Sequence, residues 1–452
     1  MNYYAAALDI GSSKVALAVG EKTDAGIRIV SYHDAPSAGV QCGEIINDFR
    51  VAEVVRALVQ QTEAELDEKL SEVTVGLSGR VLHREDHSSF IKRRNASASI
   101  SEAEVQRIIR AQYETKAGDE EMVFEAALQR YSTEDRIGIT QDELIGMVGS
   151  EIVADFILFK GRKSILNRRS KVLDECGLKT RKAILAPIAS ARAVLSAREM
   201  ERGVVLVDIG AETTEVAIIK DNLVRHVAII PFGGETVTGD IKTDTGITHK
   251  WAESVKIQQG RCCEEYAVEN RKLMLKDENG NVEDEVDLVL LTRIIEARMS
   301  EIFDAVGYVI DQSDFAKRLP AGVVITGGTA HLDNILQLAS SLLERKVRLA
   351  APQGSISSGS VDEAFDVYSS TAVGLILETL DPKLSSALEQ KQEIVLQDPE
   401  PPVDPPKKSR NGLFGGRGKG SKGVDENPKQ PSIFDDLFKP IEEKIMSQDN
   451  SA

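Results

Sequence analysis

Short runs of apolar residues predict strands at Ala5–Ile10, Val15–Val19, Val73–Leu77, Val204–Ile209, Glu215–Ile219 and Val323–Thr326. Apolar residues at three- and four-residue spacing predict helices over Val51–Leu70, Glu102–Tyr113, Leu166–Cys176, Leu288–Asp311 and Leu332–Leu343. Ser101 precedes the second of these with Glu104 three residues on, the pattern of a capping box. Strands mixed with helices predict an α/β fold. One pattern recurs 199 residues apart: Leu8-Asp9-Ile10-Gly11 returns as Val207-Asp208-Ile209-Gly210, each time an apolar strand running into Asp, Gly, small or hydroxyl residues and a second strand. The repeat predicts two related lobes, each opening with a β-hairpin.

The pattern changes near the C-terminus. Between Asp398 and Pro431, 34 residues hold seven prolines and six glycines, with few large apolar side chains. Such a segment buries too little surface to offset chain entropy, so 391–431 reads as a disordered linker. Amphipathic order returns in Ser432–Met446. On a helical wheel Phe434, Leu437, Phe438, Ile441 and Ile445 fall within an arc of about 100°. Pro440 either kinks this helix or starts a second short one. The segment's own charge is −2, but the linker carries Lys407, Lys408, Arg410, Arg417, Lys419 and Lys422. An interfacial membrane helix and a helix docking in a protein groove both fit these residues.

Composition narrows the classes. The 452 residues suggest two to four domains and are ordinary for a globular chain, with 42% hydrophobic and 28% charged. Asp and Glu number 72 against 55 Lys and Arg, a net charge of −17, which argues against a nucleic-acid binder. Cys42, Cys176, Cys262 and Cys263 form no CxxC pair, so reduced thiols in a cytosolic protein are expected. The first twenty residues carry Asp9 and Lys14 and do not read as a signal peptide.

The candidate chemistry lies in glycine-containing loops. In Asp9-Ile10-Gly11-Ser12-Ser13-Lys14, backbone N–H groups and two hydroxyls can cradle phosphate oxygens, Lys14 adds positive charge, and Asp9 can hold a magnesium ion through water. Asp208-Ile209-Gly210-Ala211-Glu212-Thr213-Thr214 repeats the logic, with Thr213 and Thr214 as hydroxyl donors. Either stretch alone also reads as an ordinary tight hairpin. A strand ending in Thr326-Gly327-Gly328-Thr329, before a helix predicted at Leu332, lets backbone approach a flat ligand and brings a helix N-terminus to an anion; it also reads as a plain strand-to-helix turn. Gly233-Gly234 precedes a further helix, and Glu253 with Lys256 has the spacing of a surface ion pair.

In this order the motifs resemble the actin-like ATP-binding superfamily: two phosphate loops, the Thr-Gly-Gly loop, and connecting helices at Leu185–Leu195 and Tyr368–Leu377. Within it the chain most resembles the FtsA family of bacterial cell-division proteins. The carriers are the stretch from Arg225 to Gly234, Val237-Thr238-Gly239-Asp240-Ile241, the YSSTAVGL run at Tyr368, and a linker ending in an amphipathic helix. The resemblance implies a two-lobed fold with a nucleotide cleft between the lobes. The first lobe would comprise 1–81, 162–200 and 368–390, with a family-specific subdomain inserted at 82–161. The second would comprise 201–232 and 300–367, with a small subdomain at 233–299.

It further implies ATP and Mg2+ held by Gly11, Ser12, Ser13, Lys14, Gly210, Ala211, Glu212, Thr213 and Thr214, with Gly233, Gly234, Glu253, Lys256, Gly327, Gly328 and Thr329, and with Asp9 and Asp208 at the metal. Head-to-tail self-polymerisation, binding of the C-terminal peptide of the tubulin-like FtsZ, attachment to an anionic inner membrane at the division site, and recruitment of later division proteins are the implied partnerships. Arg293 and Arg298 are candidates for the FtsZ carboxylates. One departure bears on turnover. Related cell-shape actins begin the first connecting helix with Glu-Pro, the glutamate orienting water, whereas this chain has Ala186-Pro187. Alanine cannot polarise water, so at most a slow ATPase is expected. An actin-fold small-molecule kinase and an actin-like pilus-assembly adaptor are the alternatives.

Overall fold

The computed structural model describes residues 4–387 except 80–81, 116, 267–270 and 277–278. The linker 391–431 and the segment Ser432–Met446, with Phe434, Leu437, Phe438, Ile441 and Ile445, lie outside the described residues.

The chain opens with a meander of β1 (Tyr4–Ile10), β2 (Lys14–Thr23) and β3 (Gly26–Pro36), followed by a small hairpin of β4 (Val40–Gln41) and β5 (Glu44–Ile45). Helix α1 (Asp48–Leu66) comes next, begun by the Asn47 side chain, which accepts from the Arg50 N–H, and ended at Asp67 in the left-handed region. It starts and stops some residues before its predicted span because these caps, not the apolar spacing, set its ends. Strand β6 (Glu72–Leu77) completes this section.

A separate sheet follows: β7 (Leu82–Lys92), α2 (Glu102–Tyr113), β8 (Glu121–Ser132), β9 (Ile137–Ile139), the single turn α3 (Gln141–Leu144) and β10 (Glu151–Arg162). Its strands run antiparallel in the order β7-β10-β8-β9, over a core of its own that includes Val105, Tyr131, Phe156 and Leu158. The Ser101–Glu104 capping box is present at the start of α2.

The chain then returns through α4 (Lys163–Glu175) and β11 (Lys179–Leu185) and crosses by α5 (Ala186–Val194) and the short α6 (Ala197–Arg202) into a second meander. That meander is β12 (Val204–Ile209), β13 (Thr214–Lys220) and β14 (Leu223–Ile230). After it come α7 (Gly234–Thr245), α8 (His249–Gln259), the strands β15 (Lys272–Lys276) and β16 (Val282–Asp287), α9 (Leu288–Gln312), β17 (Val323–Thr326), α10 (Ile335–Leu343), β18 (Val347–Leu349) and α11 (Ser370–Leu380).

The two main sheets have one design. The first runs β3-β2-β1-β6-β11 and the second β14-β13-β12-β17-β18. In each, the first three strands pair antiparallel and the last two add in parallel. The recurrent Asp-Ile-Gly of the sequence is the turn between the first two strands in both.

Helices α5 and α11 join the sheets and pack directly on each other. A Cβ at Gly374 would stand 1.8 Å from the Ala189 carbonyl oxygen, so only glycine permits so close a crossing. The small residues Ala189, Ala191 and Ala193 of α5 are buried. Among the described residues no helix is long and apolar enough to cross a membrane.

Candidate cleft between the two sheets

Asp9 and Asp208 end the central strand of each sheet, and the two turns that follow face one cavity of about 670 Å³. The turns are built alike. Gly11 N–H donates to the Lys14 carbonyl at 3.0 Å, and Gly210 N–H to the Thr213 carbonyl at 2.9 Å. Gly11, Ser12, Ser13 and Lys14 line the cavity from one side, and Gly210, Ala211, Glu212 and Thr213 from the other.

Lys14 is fixed by its surroundings. Its Nζ donates to the Tyr32 hydroxyl at 2.8 Å and stands 3.9 Å from the centre of the Tyr368 ring. Burial lowers its pKa to about 8, opposed by Asp9. Asp208 accepts from the Ser190 hydroxyl at 2.6 Å, and Ser190 lies 2.9 Å from the Thr371 hydroxyl. The crossing of α5 and α11 therefore sets the orientation of this carboxylate.

Two further ionisable groups, not anticipated from the sequence, enter the cavity. Glu215 of β13 accepts from Ser78 across the cleft at 2.6 Å. Arg169 of α4 is wholly buried; it donates to the Gly43 carbonyl at 2.7 Å and the Ile165 carbonyl at 3.2 Å, and its Nε has no partner. Glu215 left a signal, being the one acid of β13 and standing directly before the apolar run Val216–Ile219. Arg169 left none, because it sits among other basic and polar residues of α4.

The acids are poorly compensated. Burial pushes Asp9 up to about 6, with Lys14 opposing and Asp208 adding to the rise. Burial also raises Asp208, against the Ser190 and Thr371 hydroxyls. Glu215 is pushed up to about 8, by burial and then by the charge of Asp208. Burial lowers Arg169 to about 10. A cleft that crowds carboxylates this way favours a hard cation, which would relieve their repulsion. No group of three or more His, Cys, Asp or Glu among the described residues is arranged as an all-protein cage. Asp9 and Asp208, both lining the cavity, are the carboxylates that could hold such an ion.

The glycine-rich segments form a close-fitting wall. A Cβ at Gly327, where φ is +93°, would stand 2.3 Å from Asp208 Oδ1; one at Gly234 would stand 2.4 Å from Thr329 Oγ1. Thr329 itself donates to the Gly210 carbonyl at 2.8 Å, tying this segment to the second turn. Gly327 leads not into the helix predicted from Leu332 but into a single tight turn, Gly328–His331, and α10 begins at Ile335. The helix N-terminus expected to face an anion is therefore displaced, and backbone approach at Gly327 and Gly328 remains.

Glu253 and Lys256 differ from an ordinary surface pair. Lys256 is buried; its Nζ donates to the Gly234 carbonyl at 2.9 Å and Thr238 Oγ1 at 2.8 Å and meets Glu253 at 2.6 Å. The spacing is that of a helix surface, but packing of α8 on α7 turns this face inward. Ile257 beside them is exposed and lines the same end of the cavity, an apolar surface suited to a base.

Two predicted contacts fall elsewhere. Thr214, expected to offer its hydroxyl to phosphate, is fully buried and donates to the Phe232 carbonyl at 2.8 Å, because strand alternation turns it from the cleft. Gly233 stands behind the second turn, where a Cβ would lie 2.6 Å from the Gly210 and Ala211 carbonyl oxygens. Away from the cleft on α9, Arg293 is exposed and pairs with Glu264 at 2.6 Å. Arg298 makes a two-pronged contact with Asp240 at 2.6 and 3.0 Å. Ala186 begins α5 on the cavity wall and presents only a methyl group.

Residues 205–374 match the model of the family described as cell division protein FtsA. The chain is 29% identical over 399 residues to the cell division protein FtsA of Neisseria meningitidis, covering 88% of this chain and 94% of that one. It is 28% identical to the protein of that name from Bacillus subtilis, over 76% of this chain and 78% of that one. Among solved structures it resembles the type IV pilus biogenesis complex PilM–PilN, with a TM-score of 0.59 at 16% identity, covering 84% of this chain and 100% of that one. At that identity the likeness speaks for an actin-like fold alone.

Proposed function

We propose that the chain is an actin-like member of the cell division protein FtsA family and an ATP-binding adaptor of the division ring. ATP and Mg2+ occupy the cleft between the two sheets. The observation that carries this reading is the cleft itself: two turns of the same backbone design face each other, with a cation, paired carboxylates and a glycine-lined wall between them. The magnesium ion supplies charge neutralisation for the phosphates. Ser12, Ser13 and Thr213 offer hydroxyls, and Lys14 supplies fixed positive charge at the phosphate end. Lys256 and Glu253 stand at the base end, Glu253 positioned to accept from sugar hydroxyls.

Ala186 leaves no carboxylate on α5 to orient water, so the protein is an ATP-gated scaffold with slow turnover at most. It self-polymerises, binds the C-terminal peptide of FtsZ through the subdomain that carries Arg293 and Arg298, and recruits later division proteins. Ser432–Met446 attaches it to the anionic cytoplasmic face of the inner membrane, helped by the basic linker.

The test is sedimentation of FtsZ polymers with anionic liposomes and ATP, comparing the full chain with one ending at Pro431. Only the full chain should bring FtsZ down with lipid. If the two behave alike and FtsZ stays in solution, the adaptor reading fails.

A further inference from the structure

The hairpin formed by β4 and β5 reaches over the phosphate end of the cleft. Its two central residues, Cys42 and Gly43, have φ of +46° and +72°. Positive φ at both positions is the requirement of a type I′ turn, and such turns favour Asn-Gly because most side chains resist the first position. The hairpin is held from beneath. Arg169 donates to the Gly43 carbonyl at 2.7 Å, Arg168 donates to the Ile45 carbonyl, and Arg162 donates to Glu44 at 3.1 Å. From above, Gly43 N–H donates to Ser12 Oγ of the first turn at 3.1 Å, and Cys42 N–H donates to Glu212 Oε2 of the second turn at 2.5 Å.

This last contact joins the two lobes and has a particular chemistry. A backbone N–H aimed into a phosphate cleft, beside Ser12 and with Arg169 behind it, is an anion receptor. Here it receives an anion of the chain's own. The corresponding residue of the first turn is Ser13, small and neutral, so the carboxylate is not a demand of the turn. We propose that Glu212 is a specificity-determining residue that stands in for a terminal phosphate: its carboxylate holds the Cys42 N–H and must leave before a nucleoside triphosphate enters, whereas a diphosphate reaches the cleft with the contact intact. The inference rests on the nucleotide reading of the cleft. It makes Glu212 a penalty against the triphosphate and a clasp between the lobes.

Two measurements on the full chain test this. Fluorescent ATP and ADP analogues are titrated, with Mg2+, into wild type, Glu212→Gln and Glu212→Ala. Removing one negative charge near the terminal phosphate should tighten triphosphate binding about fivefold and leave diphosphate binding within about twofold. Separately, amide exchange over residues 40–45 is followed in the protein without nucleotide, where Glu212→Ala should exchange faster than wild type.

Equal changes for both nucleotides, weaker triphosphate binding in the variants, or unaltered exchange over residues 40–45 would each overturn the inference while leaving the nucleotide reading standing. If no protein binds either analogue, the nucleotide reading falls and the phosphate competition falls with it. Faster exchange in Glu212→Ala would then still establish the clasp as a contact between lobes.

Discussion

The first and second sheets share one strand order, and their opening turns share one backbone hydrogen bond, yet the chemistry they carry is opposite. Aligned on that bond, Lys14 of the first turn corresponds to Thr213 of the second, and Ser13 to Glu212. One step along the next strand the register pairs Asp9 with Ala16 in the first sheet and Asp208 with Glu215 in the second. The first turn thus brings a cation and a small partner, the second two additional acids. In both sheets the shared backbone places an aspartate near the end of the central strand, beside a turn that faces the cavity. On the proposed nucleotide reading, the side chains can differ because only one lobe needs to supply a fixed cation to the shared ligand.

Crowding separates the two halves most sharply. Gly327, at positive φ, lies against Asp208 and the Ile209 backbone. On the corresponding parallel strand of the first sheet, Gly76 faces Asp9, and a Cβ there would lie 3.6 Å from Asp9 Oδ1, an ordinary contact. Gly327→Ala must therefore force both a strained backbone and a displaced carboxylate, a loss of about 3–4 kcal/mol. Gly76→Ala should change stability by less than about 1 kcal/mol. Denaturant unfolding of both variants checks the pair. Similar losses would mean that the two sides of the cleft are equally tight, and the comparison would lose its structural basis.

What the sequence made legible follows the same division between local and distant causes. The strands, the capping box at Ser101 and the two Asp-Ile-Gly turns are set by neighbours in the chain, and each was readable. Thr214 was misassigned because the hydroxyl-rich pair Thr213-Thr214 crosses from turn to strand, where alternate side chains face opposite ways. The spacing of Glu253 and Lys256 alone read as a surface pair, and only the family resemblance put them at the nucleotide, because an i,i+3 spacing does not say which helix face is covered. The start of α10 moved because Gly327 turns the chain and Thr329 anchors it to Gly210, contacts more than a hundred residues apart. Arg169 and the Cys42–Gly43 turn were invisible, since they reach the cleft from elements that carry no phosphate-loop pattern.

The third strands also differ. His33 of β3 has partners on both ring nitrogens, Glu65 at 2.8 Å and Gln61 at 3.0 Å. His226 of β14 has a buried Nδ1 with no partner, and burial lowers its pKa to about 4, helped by the charge of Arg84 and opposed by Asp314. The unfolded chain then binds a proton that the folded chain refuses. Stability contributed by neutral His226 is present above about pH 6.5 and is lost as pH falls toward 4, by about 2–3 kcal/mol in all. In His226→Gln the drop in melting temperature between pH 7.5 and pH 4.5 should be smaller than in wild type. If the drop is unchanged in His226→Gln, burial is not what sets His226 apart.

The smallest effect concerns the cation itself. Lys14→Thr gives the first turn the residue that the second turn carries at the same place. The exchange keeps the turn's Gly11 N–H bond, which uses the backbone of residue 14, and removes only the ammonium that Tyr32 and Tyr368 hold over the cleft. Losing one fixed charge from a partly screened phosphate site should weaken ATP and ADP together by about tenfold, or 1.4 kcal/mol, and the loss should shrink as salt is raised. This is the counterpart of removing Glu212, which is expected to tighten the triphosphate alone. Titration of both nucleotides at two salt concentrations separates them. If Lys14→Thr binds as wild type does, the positive charge must come from Arg169, the cation behind the Cys42–Gly43 turn. The opposition between the turns would then belong to the lobes' interior rather than to the loops.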